Sequence, residues 1–209
     1  MAPPLRVGVL ASGSGTNLEA LLGTVHGNEA QIVAVASDKP QAFALERARR
    51  AGVPTRVFER AAYDTREARD AAIADWLAES EVQLVVLAGY MQLLGGAFLA
   101  RFPDAVINVH PALLPAFPGI AAIPQAVDYG VKVFGVTVHF VDEGVDTGPI
   151  ILQAAIELPG GATDPDAVHE ALRPLEHRLL PEAVRLFARG ALRRDPANPR
   201  RILVDPAAG

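Results

Sequence analysis

A chain of 209 residues, 50% of them apolar and 21% charged, has the composition of a globular protein and is long enough to bury the core of one domain. Its formal net charge of −5 argues against a general nucleic-acid binder, because such proteins usually present a basic face. The sequence has no cysteine, which excludes a disulfide framework and a thiolate metal site and suits the reducing cytoplasm. It also has no run of about 18 apolar residues that would predict a membrane span.

Up to Gly89, short apolar runs alternate with helical patterns. The predicted strands are Arg6–Ala11, Gln31–Ala36, Thr55–Phe58 and Leu84–Ala88. The predicted helices are Asn17–Leu22 with Gly23 able to end it, Gln41–Ala51, and Thr65–Glu79 with Thr65 or Asp64 as its cap. The alternation predicts an α/β fold with a mainly parallel sheet, and the unbroken apolar runs indicate strands that are covered on both faces.

The pattern changes in the second part of the chain. The β-rich run Val131–Val141 and the segment Ile150–Ile156 are predicted to pair as a late antiparallel hairpin. A long helix is predicted over Asp166–Arg189, with Pro174 and Pro181 expected to kink or divide it.

The C-terminal tail from Arg193 is rich in proline, arginine and alanine, and at most a short strand is expected at Arg201–Val204. No repeat or clear linker interrupts the sequence, and the N-terminus runs into the first strand without the apolar segment of a signal peptide. These features predict a single domain over residues 1–209.

A glycine-rich loop, Ser12–Asn17, lies between the first predicted strand and the first helix. Such a loop lets backbone amides approach a phosphate at a helix N-terminus, although a plain tight turn would use the same residues. A dinucleotide fingerprint would need glycine where Leu18 stands. Asp38, at the end of the second strand, does lie where a ribose-binding acid would be, so a nicotinamide enzyme stays as a competing class.

Polar chemistry follows the apolar strand that begins at Val106. Asn108 and His110 are two positions apart and therefore point to the same face, at the carboxyl end where parallel sheets bind ligands. An amide and an imidazole can stabilise the oxyanion of an acyl transfer, and a nearby carboxylate would assist the imidazole. Asp146 is the preferred carboxylate, with Asp142 and Glu143 as rivals.

Structural roles could explain the same residues. A histidine at a strand end is often only hydrogen-bonded, and the acids around Gly144 could simply form a turn. His139, which alternates with apolar Val138 and Phe140, is assigned a structural role. No spacing of histidines and acids indicates a metal site, and a serine-hydrolase elbow is missing.

Taken together, these motifs closely resemble the phosphoribosylglycinamide formyltransferase family. The resemblance extends over about residues 5 to 190. The stretches that carry it are Ala11–Leu18, Leu87–Met91, Asn108–Pro111 with Leu113–Pro115, and His139–Pro149, and Ser37–Lys39 and Ala48–Gly52 add support.

The resemblance implies a doubly wound, Rossmann-like sheet and formyl transfer from 10-formyltetrahydrofolate to the amine of N1-(5-phospho-D-ribosyl)glycinamide, without a metal. It implies a nucleotide- and phosphate-binding half at about residues 5–115, a folate-binding and catalytic-loop half at about 116–190, and a tail at 191–209. The implied catalytic residues are Asn108, His110 and Asp146. The implied substrate-binding residues are Gly15, Thr16, Asn17 and Glu176. The implied folate-binding residues are Arg66, Met91, Gln92, Leu93, Leu94, Asp142, Glu143, Gly144, Val145 and Asp146.

The expected partners are small-molecule substrates rather than nucleic acid or membrane, and a homodimer is compatible with the resemblance. The sequence departs from the family pattern at Ile120–Pro124, where a histidine-containing segment is usual. It also departs at Ala112, at Gln92 in place of a frequent arginine, and at Pro174-Leu175 before Glu176.

Several related activities remain as alternatives. A deformylase or a methionyl-tRNA formyltransferase would usually carry a further domain, which is not expected in this chain. A sugar-nucleotide N-formyltransferase and a non-catalytic binder of folate or nucleotide also remain open.

Overall fold

The structure is a computed structural model that describes residues 3–205. The chain forms two compact units, Met1–Asn108 and Val109–Gly209. The prediction of a single domain with functionally distinct halves stays a prediction. In the part of the chain that the structure describes, no helix has the length and apolar character needed to cross a membrane.

The first unit is a parallel sheet with helices between its strands. Its strands are β1 Leu5–Leu10, β2 Ala30–Ser37, β3 Thr55–Val57, β4 Leu84–Leu87 and the first residues of β5 Val106–His110. Its helices are α1 Thr16–Thr24, α2 Phe43–Arg50, α3 Arg66–Glu79 and α4 Gly96–Leu99, with a 3₁₀ turn at Arg60–Ala62. The strands lie in the order β3-β2-β1-β4-β5 and all pair in parallel, which confirms the predicted βαβ arrangement.

The unbroken apolar runs correspond to strands buried on both faces. Val9 and Leu10 of β1 and all of β4 except Leu87 are 0% exposed. Helix α3 begins where it was predicted, because the hydroxyl oxygen of Thr65 accepts a hydrogen bond from the N–H of Ala68 at 3.1 Å. Gly23 does not end α1 but lies inside it, and α4 was not predicted.

The second unit contains the predicted late hairpin. Strand β6 Val133–Phe140 pairs antiparallel with β7 Ile150–Glu157, with a register shift between Val138 and His139. This confirms the prediction of an antiparallel pair after the parallel sheet. Helix α5 Ala122–Tyr129, which the sequence did not predict, precedes the pair.

The long helix α6 spans Pro165–Ala188 as one element, so its prolines do not divide it, and the expected kink stays a prediction. An internal proline costs about 3 kcal/mol. Packing against β6 and β7 outweighs this cost, because Leu172, Leu180 and Val184 are each 0% exposed and each buried side chain of this type contributes about 1.5–3 kcal/mol.

The C-terminal tail is more ordered than its composition predicted. Strands β8 Leu192–Asp195 and β9 Asn198–Val204 form an antiparallel hairpin, and β9 also pairs with β7 at Ile150 and Arg201. The expectation of at most one short strand is therefore wrong. The apolar pattern gave little sign of these strands, because backbone pairing holds them while most of their side chains are exposed. Residues 206–209 of the predicted tail lie outside the described residues.

Candidate active site

Strand β5 presents Asn108 and His110 two positions apart, as the sequence predicted. Asn108 is half-buried, whereas the His110 side chain is only 6% exposed. Each nitrogen of the His110 ring faces an acceptor. Nε2 lies 2.9 Å from the carbonyl oxygen of Phe117, and Nδ1 lies 3.3 Å from Oδ2 of Asp146. The ring of His110 therefore lies between a carbonyl oxygen and a carboxylate, both of which are hydrogen-bond acceptors.

Asp146 lies in the loop between β6 and β7 and has a left-handed backbone with φ 53. Its side chain is 13% exposed, and its Oδ2 accepts a hydrogen bond from the N–H of Gly119 at 2.8 Å. The structure thus brings together the predicted imidazole and one of the three acids that the sequence left as candidates.

The two rival acids are placed differently. Oδ1 of Asp142 accepts hydrogen bonds from the N–H of Gly144 at 3.1 Å and from the hydroxyl of Thr147 at 2.6 Å, so this carboxylate shapes the loop. Glu143 is exposed. Of the three acids, the ion-pair distances place Asp146 against the imidazole of His110.

His139 is a residue of this cluster that the sequence did not place there. Its side chain is 2% exposed, its Nε2 lies 3.4 Å from Oδ1 of Asp146, and its Nδ1 lies 2.7 Å from the carbonyl oxygen of Phe140. The alternation of His139 with apolar residues indicated burial but not this partner. The register shift in β6 that accompanies the contact has no signature in the sequence.

The environment of Asp146 keeps its carboxyl group ionised. Burial by itself raises the pKa of this group. The hydrogen bond with His139, the N–H of Gly119 and the positive charge of the two imidazoles outweigh burial and lower the pKa from 3.8 to about 2. A permanent negative charge therefore lies beside the imidazole of His110 at neutral pH.

The glycine loop of the first unit turns tightly before α1 and packs closely against α2. Gly15 has φ 73 and precedes α1, and a Cβ atom at this position would lie 2.6 Å from the Cα of Ala44. Thr16 is half-buried and the side chain of Asn17 is buried in the first turn of α1. The loop is further held by Arg47, whose Nε donates to the carbonyl oxygen of Ser14 at 2.9 Å.

Asp38, at the end of β2, is hydrogen-bonded within the protein. Its Oδ1 accepts a hydrogen bond from the hydroxyl of Ser12 at 2.5 Å, and its Oδ2 accepts one from Nε2 of Gln92 at 3.0 Å. Both carboxylate oxygens therefore take part in hydrogen bonds within the protein, which gives Asp38 a structural role that needs no nucleotide.

The predicted folate-binding residues of the first unit differ in exposure. Met91 and Leu93 are 54% and 57% exposed, so core packing does not explain these two apolar side chains. Leu94 is buried, the Gln92 amide is hydrogen-bonded within the protein, and Arg66 is half-exposed beside Glu67.

In the second unit, Asp142, Glu143, Gly144 and Val145 form the loop that leads to Asp146, and Val145 is 45% exposed. Glu176, the predicted substrate carboxylate, is 5% exposed on α6, with its Oε1 4.0 Å from Nε2 of His169.

The segment that departs from the family pattern begins α5. Ala121 precedes the helix with φ 62, and Ala122 and Ile123 are buried. Pro124 lies in the first turn, where the N–H that proline lacks has no partner within the helix. These residues therefore suit the local structure without a histidine.

Comparison with known proteins gives the family. A model of the formyl transferase family matches residues 5–184. The chain belongs to the formyl transferase family.

Several members of this family are similar over most of the chain. Phosphoribosylglycinamide formyltransferase of Bacillus subtilis is 44% identical over 179 residues, which cover 85% of this chain and 91% of that protein. The crystal structure of glycinamide ribonucleotide transformylase 1 from Symbiobacterium toebii superposes with a TM-score of 0.90 at 48% identity, covering 96% of this chain and 94% of that one.

A third relative is much longer than this formyl transferase. The trifunctional purine biosynthetic protein adenosine-3 of Bos taurus is 43% identical over 190 residues, which cover 90% of this chain but only 19% of that protein. The likeness therefore concerns one part of the trifunctional protein.

Proposed function

We propose that the chain is a phosphoribosylglycinamide formyltransferase of purine biosynthesis. It transfers the formyl group of 10-formyltetrahydrofolate to the amine of N1-(5-phospho-D-ribosyl)glycinamide, and it releases formylglycinamide ribonucleotide and tetrahydrofolate. The observation that carries the proposal is the buried His110–Asp146 pair in a chain that is 44% identical to an enzyme of that name.

The chemistry assigns a role to each member of the predicted trio. The amine nitrogen attacks the formyl carbon, a C–N bond forms, and negative charge develops on the formyl oxygen. The side-chain amide of Asn108 and the imidazole of His110 donate hydrogen bonds to this oxygen, an effect of about 3–4 kcal/mol per donor in favourable cases. The C–N bond to the folate then breaks, and the folate nitrogen takes up the proton that the amine loses.

The contacts of His110 support this assignment. Its Nε2 faces the carbonyl oxygen of Phe117 at 2.9 Å, and the formyl oxygen is an acceptor of the same kind. We infer that the formyl oxygen replaces the Phe117 carbonyl at Nε2 during the reaction. Asp146 meanwhile stays in its ion-pair contact with Nδ1 of His110. It stabilises the protonated ring because its own carboxyl group stays ionised.

Both units carry residues that we assign to ligand binding. The glycine loop at Gly15–Asn17 offers backbone amides at a helix N-terminus to the substrate phosphate, and Glu176 offers a carboxylate to the nucleotide. The exposed apolar side chains of Met91 and Leu93 in the first unit are suited to the flat pterin of the folate. The homodimer and the cytoplasmic location stay predictions.

A single assay separates this proposal from its alternatives. Purified protein is mixed with 10-formyltetrahydrofolate alone, with the glycinamide ribonucleotide, or with an amino-sugar nucleotide, and folate absorbance is followed. Turnover that requires the ribonucleotide is the expected result. Equal consumption without it would identify a deformylase, turnover only with an amino-sugar nucleotide would identify the sugar enzyme, and no turnover would identify a binder.

The role of His110 is tested by the variant His110→Ala in the same assay. Turnover is expected to fall by roughly 10²-fold or more, since this is the scale of positioned acid–base and oxyanion catalysis. Circular dichroism and the melting temperature show whether the variant is folded. A folded variant with unchanged turnover would overturn the mechanism.

A further inference from the structure

Four buried polar side chains and the half-buried Gln92 connect the glycine loop of the first unit to the segment 91–95. The Ser12 hydroxyl donates to Oδ1 of Asp38 at 2.5 Å, and Nε2 of Gln92 donates to Oδ2 of Asp38 at 3.0 Å. On the other side, Nη1 of Arg69 donates to Oε1 of Gln92 at 3.1 Å. Nη2 of Arg69 donates to Oδ1 of Asp70 at 2.9 Å. We call these five residues the Gln92 relay.

Both ends of the Gln92 relay hold backbone groups of the segment 91–95. The N–H of Met91 donates to the hydroxyl oxygen of Ser12 at 2.9 Å. The N–H of Gly95 donates to Oδ2 of Asp70 at 2.9 Å, and the carbonyl oxygen of Leu93 accepts from Arg69 at 3.3 Å. The segment that exposes Met91 and Leu93 is therefore fixed to the same side chains that contact the start of the glycine loop.

Because most side chains of the relay are buried, each hydrogen-bond donor in it has to face an acceptor of the protein. Arg69 and Asp70 are 2% exposed, Ser12 is 4% exposed and Asp38 is 9% exposed. A carboxylate can only accept and a guanidinium can only donate, so the residue between Asp38 and Arg69 needs a donor at one end and an acceptor at the other. The glutamine amide has both, whereas an arginine at this position would meet Arg69 with like charge.

We infer that Gln92 is a positioning residue that couples the glycine loop to the segment 91–95, so that the two proposed ligand subsites of the first unit are held in register. The inference rests on the proposed function for what these subsites bind, but not for the coupling itself. The side chain of Gln92 therefore acts through the protein, and its contribution to folate binding is indirect.

The test uses an exchange of polarity between two relay residues. Gln92→Glu keeps the acceptor for Arg69 but places a second carboxylate against Asp38. The double variant Gln92→Glu with Asp38→Asn restores a donor opposite an acceptor and keeps the net charge of the wild type. Gln92→Glu is expected to raise KM for both substrates by roughly tenfold, the scale of coupling between sites, with a smaller change in kcat. The double variant is expected to return both KM values to within about threefold of the wild type, since it restores the pairing.

Hydrogen exchange supplies a readout that does not depend on the enzyme's activity. In the ligand-free protein, exchange at the amides of Met91 and Gly95 is expected to accelerate together in Gln92→Glu and to slow again in the double variant. A loss of thermal stability with unchanged KM and unchanged exchange would overturn the inference, as would a double variant that restores neither. If the wild type fails to use the glycinamide ribonucleotide, the proposed function fails, while the exchange data still decide whether the relay couples the two segments.

Discussion

The ionised state of Asp146 can be tested by replacing it with its neutral isostere. The variant Asp146→Asn removes the negative charge that His110, His139 and the N–H of Gly119 stabilise. Asparagine adopts left-handed backbone at least as readily as aspartate, so the substitution does not strain the residue at φ 53. The variant removes the charge, and its NH₂ group also takes the place of one of the two acceptor oxygens at every pH, so the part of the difference that changes with pH reports the charge.

The size and sign of the effect follow from the pKa. A fall from 3.8 to about 2 corresponds to about 2.4 kcal/mol of stability at neutral pH. Because the folded-state pKa of Asp146 lies below the unfolded value, this contribution is fully present above about pH 4 and is lost as the pH falls through about 2. At pH 3 the contribution is expected to be about half as large, roughly 1.3 kcal/mol.

Urea unfolding of the wild type and of Asp146→Asn at pH 7, 5, 4 and 3 measures this difference. The free energies of unfolding should differ most at neutral pH and converge on acidification. The matched control is Asp104→Asn, which makes the same change at an exposed residue with left-handed backbone, φ 52. A difference between wild type and Asp146→Asn that stays constant with pH, or that grows as the pH falls, would refute the electrostatic account of this cluster.

Further substitutions test the neighbouring features. Gly15→Ala should raise KM for the ribonucleotide at least tenfold in steady-state kinetics, because the new Cβ would clash with Ala44. Gly13→Ala is the control and should change this KM little, because its new Cβ would have no heavy atom of the described residues within 4 Å. His139→Leu removes the hydrogen bond between His139 and the Asp146 carboxylate, and a hydrogen bond to a charged group contributes about 1.5–3 kcal/mol to stability. Because Asp146 would be held less firmly beside His110, kcat should fall by roughly tenfold with a smaller change in KM. Ala121→Gly should raise the melting temperature by about 2–4 °C, because it relieves about 1 kcal/mol of left-handed strain at φ 62; a lower melting temperature would contradict this.

The elements that the sequence predicted well are those governed by local periodicity. The buried parallel strands and the hairpin of β6 and β7 follow from runs of apolar and β-branched residues, and the cap at Thr65 follows from its residue type. The undivided helix α6 could not be predicted in this way. Its continuity past Pro174 and Pro181 depends on burial against β6 and β7, which is a property of the tertiary structure.

The same distinction applies to the candidate site. Strand alternation was enough to predict that Asn108 and His110 share a face. The local sequence could not predict which carboxylate contacts the imidazole. Three acids lie within five positions, and the loop conformation decides which of them does. The contact of His139 with Asp146 and the bond from Gly119 depend on the same conformation.

The departure from the family pattern at Ile120–Pro124 can now be related to the chemistry. The contact between this loop and Asp146 is made by the backbone N–H of Gly119, not by any side chain of the departing segment. The side chain of Ile120 is 79% exposed, and those of Ala122 and Ile123 pack into the protein at the start of α5. Because a backbone donor is independent of side-chain identity, residues 120–124 can vary while Asp146 keeps this hydrogen bond. The residue that has to stay the same is Gly119, because its φ of 84 favours glycine and sets the direction of the N–H.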